Sequence, residues 1–174
     1  MMEQQAHWYV AYVHSRSEKK VAERLTKLHI THFLPLIKTV RQWSDRKKTV
    51  SVPLFNGYIF IHCTPEMLTQ VRMITGVVNF IYLEGKPAIV PAKQIETIRR
   101  FLETGLPVEA APDNFTPGEQ VRITFGPLSG ITGELLDMRN EKVFVLRVEL
   151  INQVMLVQVP KEYLGRVSGE WVSG

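Results

Sequence analysis

The sequence predicts an α+β protein of two domains, in which a mainly antiparallel sheet with helices on one face precedes a small β-barrel. Apolar residues before residue 102 follow both helical and strand periodicity, whereas those after residue 116 follow strand periodicity alone. The stretch between them is rich in Pro and aperiodic. We therefore expect a first domain over 1–101, a linker over 102–116 and a barrel over 117–174.

The elements of the first domain follow from alternation and from helix signals. Trp8 to Val13 alternates as a strand, and Ser15-x-x-Glu18 has the form of a capping box. That box opens a helix to about His29, with Val21, Leu25 and Leu28 on its buried side. The pattern further predicts strands over 33–40, 48–52, 57–62, 77–82 and 88–90, and helices over 65–73 and 91–103, the last with Ile95, Ile98 and Phe101 or Leu102 inward.

The barrel elements are short strands separated by turn residues such as Gly126-Pro127 and Arg139-Asn140. Period-two alternation predicts strands over 120–124, 133–136, 143–148 and 155–159. Segments 141–148 and 149–157 contain no Pro, so they could also wind as helices.

The charge of the chain is divided between its halves. The 174 residues carry a net charge of +4. Residues 1–101 hold 15 Lys and Arg against 7 Asp and Glu, a net charge of +8, and residues 102–174 hold 6 against 10, a net charge of −4. Opposite signs indicate modules with different partners, the basic one being the candidate for nucleic acid.

Composition also predicts a compartment. The single Cys63 supplies no disulfide framework, which favours a reducing interior. The chain has no apolar run of about 18 residues, and its start lacks the pattern of a signal peptide. We therefore expect a cytoplasmic protein with no membrane partner.

Catalytic patterns are weak throughout the sequence. His62 and Cys63 are neighbours on a strand, so they point to opposite faces and cannot act as base and nucleophile. The three Asp residues lie in or near turns, and the His residues lack zinc spacing. Neither a phosphate loop nor a dinucleotide fingerprint is present. We expect no enzyme, no catalytic or metal site and no cofactor.

Three features point to function, and each also has a purely structural interpretation. Aromatic residues are concentrated on two strands, at Trp8 to Tyr12 and Phe55 to Phe60, where they form either a sheet core or an exposed patch on the helix-free face. Arg16, Lys20, Arg24 and Lys27 form one stripe on the first helix, near the basic turn with Trp43, Arg46, Lys47 and Lys48. This basic set suits phosphate contact, or it is simply a solvated face. Finally, Gly118, Gly126, Gly130 and Gly133 have the spacing of a tightly coiled β unit.

The glycine-bearing stretch from Pro117 to Leu135 resembles the KOW motif, and the first half resembles the N-terminal domain of NusG-type transcription elongation factors. The fragments that carry the resemblance are Trp8-Tyr-Val, Phe33-Leu-Pro, Trp43-Ser-Asp-Arg-Lys-Lys, Pro53-Leu-Phe-Asn-Gly-Tyr-Ile-Phe, Gly76-Val and Gly85-Lys-Pro-Ala. The resemblance implies a ferredoxin-like α/β domain linked to an SH3-like KOW barrel. The chain departs from the family motif at Asn56, where Pro is common before Gly, and its Ser44-Asp-Arg-Lys-Lys loop with a compact chain resembles specialised antiterminators of the capsule-operon kind.

The resemblance implies a non-enzymatic protein that binds RNA polymerase and favours processive elongation or antitermination. The implied polymerase patch comprises Val10, Tyr12, Phe55, Tyr58, Phe60 and Leu83, with Thr69 and Gln70 near the opposite wall of the cleft. His14, Ser17, Lys20 and Arg24, with Arg16 from the basic stripe, would face the non-template DNA strand. The barrel would bind a ribosomal protein or the termination helicase Rho, with Phe125, Leu128 and Ile131 as apolar candidates.

A second interpretation places the chain among KOW-containing, RNA-binding proteins associated with the ribosome. The charge of the barrel half discriminates between the two, because a net −4 disfavours RNA as the direct partner of that half.

Overall fold

The computed structural model describes residues 5–166, so the outermost residues of the two expected domains lie outside the described part. The chain forms two compact units that divide between Ile95 and Glu96. The elements of the first unit are β1 (His7–Val13), α1 (Glu18–Lys27), β2 (Thr31–Phe33), β3 (Leu36–Gln42), β4 (Lys47–Pro53), β5 (Tyr58–Cys63), α2 (Leu68–Arg72), β6 (Val77–Phe80), β7 (Tyr82–Leu83), β8 (Lys86–Pro87) and β9 (Ile89–Val90). Helix α3 (Ala92–Glu103) spans the division.

An antiparallel sheet of order β2-β5-β1-β6 forms the centre of the first unit, and β9 also pairs with β1. Successive side chains of a strand point to opposite faces. One face therefore carries Tyr9, Ala11 and Val13 of β1, which pack with the apolar sides of α1 and α2 into a single core. The other face of the sheet carries Trp8, Val10 and Tyr12 and receives neither of these helices.

Three local predictions differ from the structure. The strand expected over 33–40 is interrupted at Leu34-Pro35, because Pro has no N–H for a ladder hydrogen bond. Helix α1 has Ser17 at its N-cap without a side-chain cap bond, so the predicted capping box is not formed. The helix ends at Lys27, and His29 adopts a left-handed φ of 56°, which leaves Leu28 exposed rather than buried.

The second unit is an antiparallel sheet of order β10-β14-β13-β12-β11-β15. Its strands are β10 (Val108–Pro112), β11 (Glu119–Ile123), β12 (Thr132–Met138), β13 (Glu141–Val148), β14 (Gln153–Val157) and β15 (Leu164–Arg166). The two segments that could also wind as helices are thus β13 and β14. Phe101, near the end of α3, packs its ring against Phe144 with a centroid distance of 5.5 Å. The last turns of α3 therefore contribute to the core of the second unit.

The segment expected to be a linker contains a strand. Val108 to Pro112 pairs along the whole of β14, from Val157 to Gln153. The N–H of Gln158 donates to the carbonyl of Pro107, and that of Asp113 to the carbonyl of Asn152. The segment lacks clear apolar periodicity because none of its side chains is fully buried and half-buried Val108, Ala110 and Ala111 do not alternate regularly with exposed residues.

The glycine spacing in the second unit has a direct steric cause at Gly133. A Cβ built there would lie 2.4 Å from Cζ of Phe144 and 2.8 Å from the carbonyl oxygen of Val145. Only glycine allows β12 and β13 to approach this closely around the buried Phe144 ring.

Candidate partner-binding surfaces

On the face of the first sheet opposite α1 and α2, the residues of the predicted polymerase patch form two layers. Strands β1 and β5 pair in a register that sets Val10 opposite Phe60 and Tyr12 opposite Tyr58. Alternation therefore places these four side chains on one face, as the sequence indicated.

The inner layer is buried. Phe60 is 0% exposed, and Val10 and Phe55 are also buried. The ring of Phe60 stacks on Phe33 at a centroid distance of 6.2 Å and meets Phe55 edge-on at 6.5 Å. These three patch residues were expected to be exposed. The structure instead makes them part of the interior, so they support the surface without forming it.

The outer layer of this face consists of Tyr12 and Tyr58, whereas the predicted patch residue Leu83 lies on the separate β7–β8 hairpin. Tyr12 is 44% exposed, Tyr58 is half-buried and Leu83 is exposed. The two tyrosine rings meet edge-on with centroids 5.6 Å apart, a favourable aromatic geometry. We call Tyr12 and Tyr58 the tyrosine pair.

The turn before β5 shapes the tyrosine pair. Gly57 has a φ of +85°, and a Cβ on it would lie 3.1 Å from Cε2 of Tyr12. The Gly57 carbonyl accepts the N–H of Val13 at 2.8 Å. Glycine therefore lets the turn close beneath the Tyr12 ring while Phe55 enters the interior.

The predicted DNA-facing residues lie on α1 and on the loop before it. His14, Arg16 and Lys20 are exposed, and Ser17 and Arg24 are half-buried. Arg24 Nη1 donates to the carbonyl of Thr75 at 2.6 Å, so this guanidinium also holds the loop before β6. Lys20 has no such contact within residues 5–166, which makes it the clearest probe of the basic stripe.

Thr69 and Gln70, expected near the opposite wall of the polymerase cleft, are both exposed on α2. This helix has only five residues and follows a short 3₁₀ turn over Pro65–Met67. The two side chains are accessible to a partner of the first unit.

The three apolar residues expected to bind a partner of the second unit differ in their exposure. Phe125 is 65% exposed and packs its ring on Tyr163 at 5.6 Å. Leu128 and Ile131 are buried, in a turn closed by hydrogen bonds from Ile123 N–H to Ile131 and from Gly130 N–H to Ile123. Leu128 and Ile131 therefore stabilise the turn, and Phe125 remains the accessible candidate.

Sequence reasoning missed an ion cluster in the second unit. Arg147 Nε donates to Glu134 Oε2 at 2.5 Å, and its Nη1 donates to Asp113. The Gly118 N–H donates to Glu134 Oε1 at 2.9 Å. These hydrogen bonds, that from Arg147 above all, hold the pKa of Glu134 below its ordinary value of 4.5, against the opposing effect of burial. The sequence holds one signal of this cluster, which is the charged Glu134 at an inward-facing position of the stretch Gly133-Glu-Leu.

Cys63 lies in the helix-packed core, where burial raises the pKa of its thiol to about 11. Such a thiol is protonated at neutral pH and is a poor nucleophile. His62 points to the other face, where its ring lies 5.0 Å from that of Trp8. Among residues 5–166, no cluster of three His, Cys, Asp or Glu side chains could hold a metal ion. No helix in this described range is long and apolar enough to cross a membrane.

The fold defines a class of two-domain proteins, in which a mixed α+β domain with antiparallel strands precedes a β-rich, KOW-like domain. The family model described as "Transcription termination factor nusG" matches residues 6–99. The chain therefore belongs to the NusG family, whose members are non-enzymatic transcription factors.

Individual relatives match across most of the chain. The "Transcription termination/antitermination protein NusG" of Pasteurella multocida (strain Pm70) is 26% identical over 147 residues, covering 78% of this chain and 80% of that protein. The protein of the same name from Staphylococcus aureus (strain Mu50 / ATCC 700699) is also 26% identical, with coverages of 78% and 81%. A solved structure titled "Domain interaction in Thermotoga maritima NusG" has the same fold, with a TM-score of 0.55, 20% identity, and coverage of 94% of this chain and 98% of that one.

Proposed function

We propose that this protein binds RNA polymerase through the tyrosine pair and promotes processive elongation and antitermination. The observation that carries the proposal is the tyrosine pair, with Tyr12 exposed and Tyr58 half-buried, on the sheet face opposite α1 and α2 of a NusG-family chain. Aromatic side chains that are rigid, exposed and supported by a packed layer are typical anchors of protein interfaces.

The proposed mechanism is non-covalent binding and contains no catalytic step. Burial of the tyrosine pair supplies affinity, and the buried Val10, Phe55 and Phe60 beneath it keep the rings in place. Because a rigid surface loses little conformational entropy on binding, more of the contact energy appears as affinity. A partner that binds the closed, elongating form of the polymerase more tightly than its open form shifts the population toward elongation. Thr69 and Gln70 would make the second contact across the cleft.

Residues of α1 and of the loop before it would hold the non-template DNA strand. His14, Arg16, Ser17, Lys20 and Arg24 would supply positive charge and hydrogen-bond donors to phosphates and base edges. Phosphate contact suits this set because Glu23 is the one exposed carboxylate on the helix.

We further propose that the chain is a specialised antiterminator of the capsule-operon kind, supported by Asn56 in the turn before β5. The second unit would bind a ribosomal protein or Rho through the exposed Phe125 ring.

The proposal predicts that Lys20→Glu removes antitermination and retains polymerase binding, since Lys20 is exposed on α1 and the tyrosine pair lies on the sheet. Reversing one charge repels the strand phosphates and leaves the aromatic contact intact. The measurement is terminator readthrough by purified polymerase with the full chain at physiological salt, together with co-purification of the polymerase. Lys161→Glu, which changes an exposed lysine in the second unit, is the matched control and should read through normally. Normal readthrough by Lys20→Glu would show that the basic stripe is only a solvated face.

A further inference from the structure

A short hairpin follows β6, the edge strand of the first sheet. Strands β7 and β8 form only two residue pairs, which join Tyr82 to Pro87 and Leu83 to Lys86. In the described part of the chain, they pair with no other strand. A two-stranded hairpin of this length is not stable by itself in water. Its position therefore depends on the contacts that hold it to the rest of the unit.

Main-chain hydrogen bonds tie the base of the hairpin to the sheet. The N–H of Ile81 donates to the carbonyl of Val10 at 2.9 Å, and the N–H of Ala88 donates to the carbonyl of Ile81 at 2.8 Å. Both bonds involve Ile81, so they fix one point about which the hairpin could still turn.

Arg72, the last residue of α2, makes a side-chain contact that sets the direction of the hairpin. Its guanidinium carbon lies 5.7 Å from the ring centroid of Phe80 and 5.5 Å from that of Tyr82. A cation within about 6 Å of an aromatic centroid is attracted to the face of the ring. Arg72 Nη2 also donates to the Tyr82 hydroxyl. Arg72 therefore joins α2 to both β6 and the hairpin.

Folding stability alone does not explain a guanidinium at this place. The Nε of Arg72 is buried and, among residues 5–166, has no hydrogen-bond acceptor. A buried donor without an acceptor costs free energy, whereas an apolar side chain of similar length could pack on the Phe80 ring without that cost. What an apolar side chain could not supply is the directed bond to the Tyr82 hydroxyl.

The contact with Arg72 also determines which way the hairpin faces. Phe80 pairs opposite Ala11 and lies in the core with the apolar sides of α1 and α2. Phe80 and Tyr82 are two residues apart and both contact Arg72, so the alternation of side chains continues from β6 into β7. Leu83 therefore points to the opposite side, which in the sheet is the side of the tyrosine pair.

We propose that Arg72 is a positioning residue for polymerase binding, which holds the β7–β8 hairpin through Tyr82 so that Leu83 forms a third contact on the side of the tyrosine pair. Leu83 is 59% exposed, so a partner can bury it. A hairpin that is already held in place loses less conformational entropy when Leu83 is buried, which leaves more of the contact energy as affinity. This inference rests on the proposed function for the identity of the partner, whereas the hold of Arg72 on the hairpin does not.

The first measurement needs no polymerase. Hydrogen exchange of the Ala88 amide, which closes the hairpin on Ile81, reports how often the hairpin opens. We expect this exchange to be roughly fivefold faster in Tyr82→Phe, which loses one hydrogen bond of ordinary strength, and at least as fast in Arg72→Met. Arg41→Met, which changes an exposed arginine on β3, is the matched control and should leave the exchange unchanged. Unchanged exchange in Arg72→Met would overturn the inference.

The second measurement is the affinity of the full chain for core polymerase free of nucleic acid. We expect Leu83→Ser and Arg72→Met each to weaken binding by roughly fivefold, less than the loss of a central anchor. The double variant should bind no more weakly than Leu83→Ser, because a positioning residue has no effect once the residue that it positions is gone. Arg72→Lys keeps the charge without the planar guanidinium, so we expect it to lose affinity as Arg72→Met does. Arg41→Met should bind as the unmodified chain does.

Additive losses in the double variant would overturn the inference, since Arg72 would then contact the polymerase directly. Full affinity in Arg72→Lys would also overturn it, because charge alone would then suffice. The failure of the proposed function is distinguishable from these outcomes. No polymerase binding by the unmodified chain would refute that function, and the hydrogen exchange of Ala88 would still decide whether Arg72 holds the hairpin. Circular dichroism checks that each variant is folded.

Discussion

Replacing Arg147 with Met is expected to lower the free energy of unfolding of the second unit by about 3 kcal/mol at neutral pH, because it leaves two carboxylates largely buried without their cation. Glu134 and Asp113 side chains are only 10% and 15% exposed, and Arg147 bonds to both. The same guanidinium also donates to the Thr116 carbonyl at 3.3 Å, so its loss frees the chain before β11. Hydrogen exchange of β12 and β13 amides measures the effect in this unit alone.

The pH dependence of the stability of the second unit should differ between the unmodified chain and Arg147→Met. In the unmodified chain the pKa of Glu134 is lowered, so its contribution to stability is present above pH 4.5 and is lost as the pH falls further. Without Arg147, burial dominates and raises that pKa, so protonation should stabilise the variant as the pH falls. Lys142→Met is the control, because Lys142 is exposed and pairs with Asp137 at 3.9 Å. Lys142→Met should lower the free energy of unfolding by less than about 1 kcal/mol. A similarly small loss in Arg147→Met would show that the cluster is not a structural tie.

The variant Phe60→Ala is expected to destabilise the first unit by about 3–5 kcal/mol, since it leaves a cavity where a whole ring was buried. Phe60 is 0% exposed between Phe33 and Phe55, and surrounding rings relax only partly into such a space. The measurement is urea unfolding with hydrogen exchange of β1 and β5 amides.

Tyr58→Ala is the matched control for Phe60→Ala. Tyr58 lies two residues away on the same face and is half-buried, so its loss should cost well under half as much. If Phe60→Ala left the unit as stable as Tyr58→Ala does, the division of this face into a buried and an exposed layer would be wrong.

Side-chain periodicity predicted the elements better than it predicted exposure. Alternation placed Val10, Tyr12, Tyr58 and Phe60 on one face. It could not show that Phe60 is buried, because its exposure depends on the rings of Phe33, from a separate strand, and of Phe55, from the turn before β5. The structure changes the patch from six equivalent residues to a partly exposed tyrosine pair above a packed layer, with the exposed Leu83 on the separate β7–β8 hairpin.

The features that the sequence did not reveal depend on long-range contacts. Strand β10 has no fully buried side chain and no regular alternation, so only its pairing with the distant β14 reveals it. The ion cluster joins Asp113 to Glu134 and Arg147, which lie on separate segments. Leu128 and Ile131 were accessible candidates on hydrophobicity alone, and the hydrogen bonds of their turn bury them.

The central claim is that the tyrosine pair binds RNA polymerase, and the most direct measurement is the affinity of the full chain for core polymerase free of nucleic acid. We expect the double variant Tyr12→Ser, Tyr58→Ser to bind at least about 30-fold more weakly, which corresponds to the roughly 2 kcal/mol of an interface anchor. Trp43→Ser, which removes an exposed aromatic side chain from the turn between β3 and β4, should leave the affinity unchanged. Unchanged affinity in the folded tyrosine variant, or no binding by the unmodified chain, would contradict the account.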